Sequence, residues 1–141
     1  MGQILAIDFG LKRCGIAVTD PMQLIASGLT TVQTHQLEDF LKEYVSKEKV
    51  VGFVIGKPYQ MNFQDSESEP YIASFLERLS HLFPQIALTR VDERFTSKMA
   101  KQSLIDSGAK KKHRKQKEAI DEISATLILQ SYLDQQKTPL K

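Results

Sequence analysis

The chain opens on a weakly alternating stretch rich in Ile, Leu and Ala, residues 3–9, which reads as a buried strand. Residues 14–19 read as a second strand, with the turn between them at 10–13. A third strand is predicted over 24–32, entered through Asp20-Pro21. Leu37, Phe40, Leu41, Tyr44 and Val45 then recur at helical spacing, and Thr34 is the expected N-cap of that helix. Residues 50–55 form a continuous apolar run, as in a strand covered on both faces, and Gly56-Lys57-Pro58 ends it. A polar loop over 60–69 follows. Ile72, Phe75, Leu76, Leu79 and Phe83 mark a second helix, with Pro70 tolerated in its first turn and Pro84 as its stop. Residues 86–91 read as a fifth strand. Thr96 or Ser97 caps a third helix that Gly108 ends. Residues 109–117 look like a basic, flexible linker, and a last helix runs from about Glu118 to Leu133, apolar over most of its circumference.

The order βββαβαβαα predicts an α/β fold: a five-stranded mixed sheet, a meander first and then alternation, with helices on both faces. At 141 residues the chain suits one domain, 1–141, and no internal repeat divides it. No apolar run approaches the length that spans a bilayer. The N-terminus has neither a basic lead-in nor a small-residue cleavage site, so it reads as a strand, not a signal peptide. Cys14 is the single cysteine and excludes an internal disulfide. The expected location is the cytoplasm, with no membrane partner.

The formal net charge of +2 conceals a strong polarity. Arg94, Lys98, Lys101, Lys110, Lys111, Lys112, Arg114, Lys115 and Lys117 follow one another with Asp106 as the only acid among them. Such a segment can offer one basic surface to a polyanion while the whole stays nearly neutral.

Three carboxylates stand where elements end. Asp8 continues the strand face of Ile4 and Ala6, and a buried carboxylate there needs a partner or a metal. Capping the turn at Gly10, or pairing with Lys12 or Arg13, would also satisfy it. Asp92 and Glu93 end the fifth strand on opposite faces, so only one can join Asp8. Asp92 suits a turn or cap, a role that fits Glu93 less well because Glu is a poor turn former. Asp121 suits the dipole at the start of the last helix, but it also shares a face with Ala125 and Ile128. Glu122 is expected to turn toward solvent. Hard oxygen donors of this kind suit Mg²⁺ or Mn²⁺ and phosphodiester cleavage. The scattered His35, His81 and His113 make no zinc site.

The segment Ile7-Asp8-Phe9-Gly10-Leu11-Lys12-Arg13-Cys14-Gly15-Ile16-Ala17 resembles the opening signature of the YqgF/RuvX family, which is related to the RuvC Holliday junction resolvases. Val54-Ile55-Gly56-Lys57-Pro58 resembles its second motif, Asp92-Glu93-Arg94-Phe95-Thr96-Ser97 its third, and the stretch from Asp121-Glu122-Ile123-Ser124-Ala125 to Leu129-Gln130 its fourth. The resemblance covers nearly the whole chain in order. It implies a ribonuclease-H-like fold, with Asp8, Glu93 and Asp121 at the family's acidic site positions. It also implies maturation of the 5′ end of pre-16S ribosomal RNA, or, by the older name, cleavage of branched DNA. Phe63, Cys14 and Ser124 depart from the residues common at their positions. Ser124 either hydrogen-bonds the site or fills space.

Lys12 and Arg13 could meet phosphates or be solvated at a turn. Arg94 could do the same or pair with Asp92. The cations of 109–117 form a solvated loop by default, yet they precede Asp121 directly and can recruit substrate. The expected partners are structured RNA, branched DNA, and the ribosome or its precursor. Two other classes remain open: a non-catalytic RNA- or ribosome-binding protein, and an ATP-binding domain of the sugar-kinase and actin type. The second of these normally needs two such domains to enclose a nucleotide.

Overall fold

A computed structural model of the chain describes residues 2–57, 69–92 and 113–137, with the backbone alone described for 57, 92, 113–121 and 137. The strands are β1 (Gln3–Asp8), β2 (Arg13–Thr19), β3 (Ala26–Gln33), β4 (Val50–Lys57) and β5 (Ala87–Asp92). The helices are α1 (Leu37–Lys47), α2 (Glu69–Leu82) and α3 (His113–Lys137). The strands form one sheet in the order β3-β2-β1-β4-β5. β1 pairs antiparallel with β2, and β2 with β3, whereas β1–β4 and β4–β5 are parallel. This is the expected mixed sheet. The helix expected after Thr96 lies outside the described residues.

Alternation along each strand divides the core in two. Leu5, Ile7, Cys14, Ile16, Phe53 and Ile55 project to one face, where Leu37 and Leu41 of α1 and Ile72, Phe75 and Leu79 of α2 cover them. Ile4, Ala6, Ala17, Val54 and Val91 project to the other, against Ala125, Ile128 and Leu129 of α3. Ala6, Ala17 and Ala125 put small side chains among the larger ones where α3 meets the sheet. At Gly28 on β3, a Cβ would stand 3.3 Å from Thr126 Oγ1 and 3.4 Å from Glu122 Oε1. A Cβ there would require the Thr126 and Glu122 side chains to give by a few tenths of an ångström.

Three local features depart from expectation. β3 starts at Ala26 and not at 24, because the Asp20 carboxylate captures the preceding amides. Its Oδ1 accepts from the backbone N–H of Leu24 at 2.9 Å and of Ile25 at 2.8 Å, and its Oδ2 from that of Met22 at 3.1 Å. Thr34 is not a helix cap; it begins a 3-10 turn (Thr34–Gln36), and Gln36 precedes α1 without a side-chain cap. α3 begins at His113, so five residues of the anticipated linker are its first turns, and residues 109–112 lie outside the described residues.

The hydrogen bonds to the Ile25, Leu24 and Met22 amides hold the Asp20 carboxyl below its ordinary range, the Ile25 bond contributing most. The folded value is depressed. Its stabilisation is therefore present above the ordinary carboxylate range and is lost as pH falls through the lowered folded value. The Ile25 amide proton chemical shift is expected to follow the Asp20 carboxyl with a midpoint below that of a free aspartate, and Asp20→Ala should abolish the change. A midpoint at the free value would contradict the bonding.

The buried Ile4 amide donates to Thr19 Oγ1 at 2.9 Å, next to the register shift between Gln3 and Ile4 in the β1–β4 ladder. Thr19 is itself 1% exposed. Thr19→Val keeps the shape but strands that amide, and is expected to cost about 1–3 kcal/mol in urea unfolding. Thr19→Ser should cost clearly less.

Candidate active site

Three parallel strands end together. Asp8, Lys57 and Asp92 are the last residues of β1, β4 and β5, and all lie along one edge of the sheet. β2 runs the other way and starts at that edge with Arg13, opposite Gln33 at the end of β3. The carboxyl edge of parallel strands is where open α/β sheets bind ligands.

Asp8 is half-buried and shares strand parity with Ile4 and Ala6, so it belongs to the face that α3 covers. Its Cα partner is Gly15, whose own partner on β3 is Thr31. Thr31 Oγ1 donates to Glu122 Oε2 at 3.5 Å. The turn of α3 around Glu122 therefore stands at the level of Asp8. The backbone of Asp121 lies in that turn, four residues ahead of the buried Ala125. Glu122 corrects an expectation, because it packs against Thr31 and Gly28 instead of facing solvent. Its departure is physical: β3 extends beyond the apolar stripe of the helix and reaches a flank that helical periodicity assigns to water.

Of the remaining candidates, Glu93, Arg94, Lys110, Lys111 and Lys112 lie outside the described residues. Arg114, Lys115 and Lys117 lie in the opening turns of α3, which has no acid in its first turn. Lys12 is exposed in the turn after Asp8, and Arg13 is half-buried. Among the described residues no cluster of three His, Cys, Asp or Glu can hold a metal ion. What is described still fits a hard cation. Asp8 supplies a carboxylate, and Ser124, 1% exposed and one turn past Asp121, has a buried hydroxyl without a hydrogen-bond partner. An unpartnered buried hydroxyl costs about 1–3 kcal/mol unless water or an ion meets it.

Periodicity did not reveal the braces of this edge. Arg90 holds Glu69 through two bonds, Nη1 to Oε2 at 3.2 Å and Nη2 to Oε1 at 3.0 Å. Its Nη2 also donates to the Gly56 carbonyl at 3.2 Å. One guanidinium thus ties the start of α2 to the end of β4. An Arg inside the strand, between Thr89 and Val91, was the available signal. The second brace is Thr34, whose Oγ1 donates to the Gly10 carbonyl at 2.7 Å and whose N–H donates to the Lys12 carbonyl at 3.0 Å.

Comparison with known proteins agrees with this architecture. A protein of Flavobacterium johnsoniae named "Putative pre-16S rRNA nuclease" is 58% identical over 137 residues, 97% of this chain and 99% of that one. A protein of Porphyromonas gingivalis with the same name is 55% identical over 134 residues, 95% and 97% of the two chains. Among solved structures, Thermus thermophilus RuvC in complex with a Holliday junction substrate matches with a TM-score of 0.57 at 13% identity, over 95% of this chain and 96% of that one. A second Thermus thermophilus RuvC structure gives 0.56 at 11% identity, over 96% and 97%. The fold is thus the ribonuclease-H-like one of RuvC. The family model described as "RuvX: Holliday junction resolvase" matches residues 2–135, and the chain belongs to the RuvX family.

Proposed function

We propose that this chain is a metal-dependent nuclease that hydrolyses phosphodiester bonds in structured RNA, and that its substrate is the 5′ end of pre-16S ribosomal RNA. The observation that carries the reading is the position of Asp8. It is a half-buried carboxylate at the carboxyl edge of the parallel strands, on the face covered by α3, level with the turn that contains Asp121. The names of similar relatives support pre-16S ribosomal RNA as the substrate, and the 5′ end is part of the proposal. Asp8, Glu93 and Asp121 are assigned as the carboxylates that hold divalent cations, and such oxygen donors suit Mg²⁺ or Mn²⁺. Held by these three carboxylates, such ions would supply Lewis-acid stabilisation of the phosphate.

The chain's own contribution is rigid placement. Asp8 ends a strand buried on both faces, so its carboxylate is held without further ordering on binding. Lys12, Arg13, Arg94 and the cations between Lys110 and Lys117 are assigned to phosphate contacts that set the register of the substrate. Among the described residues no helix is long and apolar enough to cross a membrane. The cytoplasm, on the ribosome precursor, is the assigned place of action.

The test is cleavage by purified protein of a pre-16S RNA fragment and of a four-way DNA junction, with and without Mn²⁺. Metal-dependent cut RNA supports the reading. The family description favours a second reading, junction resolution, and that reading wins if only the branched DNA is cut. Binding to RNA with no cleavage under either condition would leave a non-catalytic RNA-binding protein and overturn both.

A further inference from the structure

We propose that Thr34 is a positioning residue for nucleic-acid binding: it fixes the turn between Gly10 and Arg13 beside Asp8, so that Leu11 and Lys12 stand outward as a preformed contact for a polynucleotide strand. The proposal rests on the nuclease reading above and names part of its substrate surface.

Thr34 bonds two carbonyls of this turn from one side. Thr34 reaches across from the end of β3 and gives its hydroxyl to the Gly10 carbonyl at 2.7 Å and its amide to the Lys12 carbonyl at 3.0 Å. Cys14, buried at the start of the next strand, brings its Sγ within 3.5 Å of the same hydroxyl and 3.9 Å of the Gly10 carbonyl. At Gly10 itself a Cβ would stand 2.4 Å from the Arg13 carbonyl oxygen, so the chain passes where no side chain fits. The backbone of this turn is therefore locked, whereas its tip is not buried: Leu11 is 56% exposed and Lys12 is exposed.

A leucine held outward next to a lysine, at the sheet edge that carries Asp8, has a specific chemical fit. Lys12 suits a phosphate oxygen, and the isobutyl group suits the face of an unstacked base or a ribose. That pairing selects a strand with unpaired nucleotides over a fully stacked duplex. A turn already in its bound shape spares the ordering cost that a loose loop would meet on binding. Met22, Leu24 and Ile25, also exposed, lie in the β2–β3 connection at the opposite end of the sheet and share none of this setting.

The experiment uses the full chain without divalent cation and a fluorescent RNA hairpin carrying a single-stranded 5′ extension, beside the same hairpin fully paired. Binding is read by anisotropy at several salt concentrations. Thr34→Val, which keeps the shape and loses the hydroxyl, is expected to weaken binding of the extended hairpin about five- to tenfold, the worth of one hydrogen bond. Thr34→Ser should recover most of it. Leu11→Ser should weaken the extended hairpin but not the paired one, and leave the salt slope alone. Lys12→Gln should lower that slope by about 0.7. The decisive arm is the cycle: in a Leu11→Ser, Lys12→Gln background the Thr34→Val effect should vanish, because the residue acts through that tip.

A Thr34→Val protein that folds and binds like the unaltered chain overturns the proposal. So does an undiminished Thr34→Val effect in the double background, which would make the role merely structural. Should Thr34→Val fail to fold, the Leu11 and Lys12 variants decide, and equal losses on both hairpins count against it. An unaltered chain that binds neither hairpin overturns the RNA reading and this proposal together.

Discussion

Asp8→Asn is expected to keep the fold and lose cleavage, with a single-turnover rate reduced on the order of 10³-fold, since removing several kcal/mol of charge stabilisation costs a factor of ten for each ~1.4 kcal/mol. Asn has the shape of Asp, so the end of β1 and its pairing with Gly15 should survive. What it lacks is the negative charge that attracts a divalent cation. Two measurements belong together: cleavage in saturating Mn²⁺, and Mn²⁺ binding by calorimetry, with circular dichroism confirming the fold. Both should fall. Full activity in a preparation free of contaminating nuclease would remove Asp8 from the site.

Neutralising the basic segment should have the second largest effect, on affinity. Replacing Lys110, Lys111, Lys112, Arg114, Lys115 and Lys117 by Gln removes six cations within eight positions. If they meet phosphates, each cation removed reduces the salt slope by about 0.7–0.9, and the summed weakening of binding is on the order of 10²- to 10³-fold at moderate salt. The saturated cleavage rate should change far less. α3 begins at His113, so half of these charges occupy its opening turns, where the helix dipole disfavours cations. Their neutralisation should therefore leave α3 intact or slightly steadier while substrate binding drops. Single-turnover cleavage titrated with enzyme at two salt concentrations separates the two effects. An unchanged dissociation constant with a collapsed rate would reverse the assignment and make the segment part of the chemistry.

How much of the molecule is legible in its sequence depends on which forces act locally. β1 is readable from its Ile, Leu and Ala content and β4 as a continuous apolar run, and the parity of Ile4 and Ala6 carries Asp8 to the α3 face by counting alone. The start of β3 is not readable. It turns on whether the Asp20 carboxylate takes the amides of Leu24 and Ile25, a side-chain bond that leaves no trace in hydrophobic period. Thr34 has the residue type of a cap and a helix follows it, but the Gly10 carbonyl, distant in sequence, takes its hydroxyl. The start of α3 is hidden because its first turns carry cations with no apolar partner to mark a face. For the proposed site, a strand end nominates Asp8, whereas Asp121 is the ninth residue of α3 and not at its start, so the dipole argument made for it at the sequence level does not apply. That Glu122 lies against β3 needs the width of the sheet, which no single segment encodes.

The way α3 closes over the sheet sets an order of events during synthesis. β1, β2 and β3 are neighbours in sequence and can pair as soon as they leave the ribosome, at little cost in loop closure. The bond between Thr31 and Glu122 joins residues 91 apart, and it waits for nearly the whole chain. Until then Ile4, Ala6, Ala17 and Val54 have no helix over them, and the edge at Asp8 lies open on that face. The last helix completes the second half of the core and the proposed carboxylate cluster in one step. A nascent chain that has not yet made α3 therefore lacks both the cover of this core face and the turn that contains Asp121.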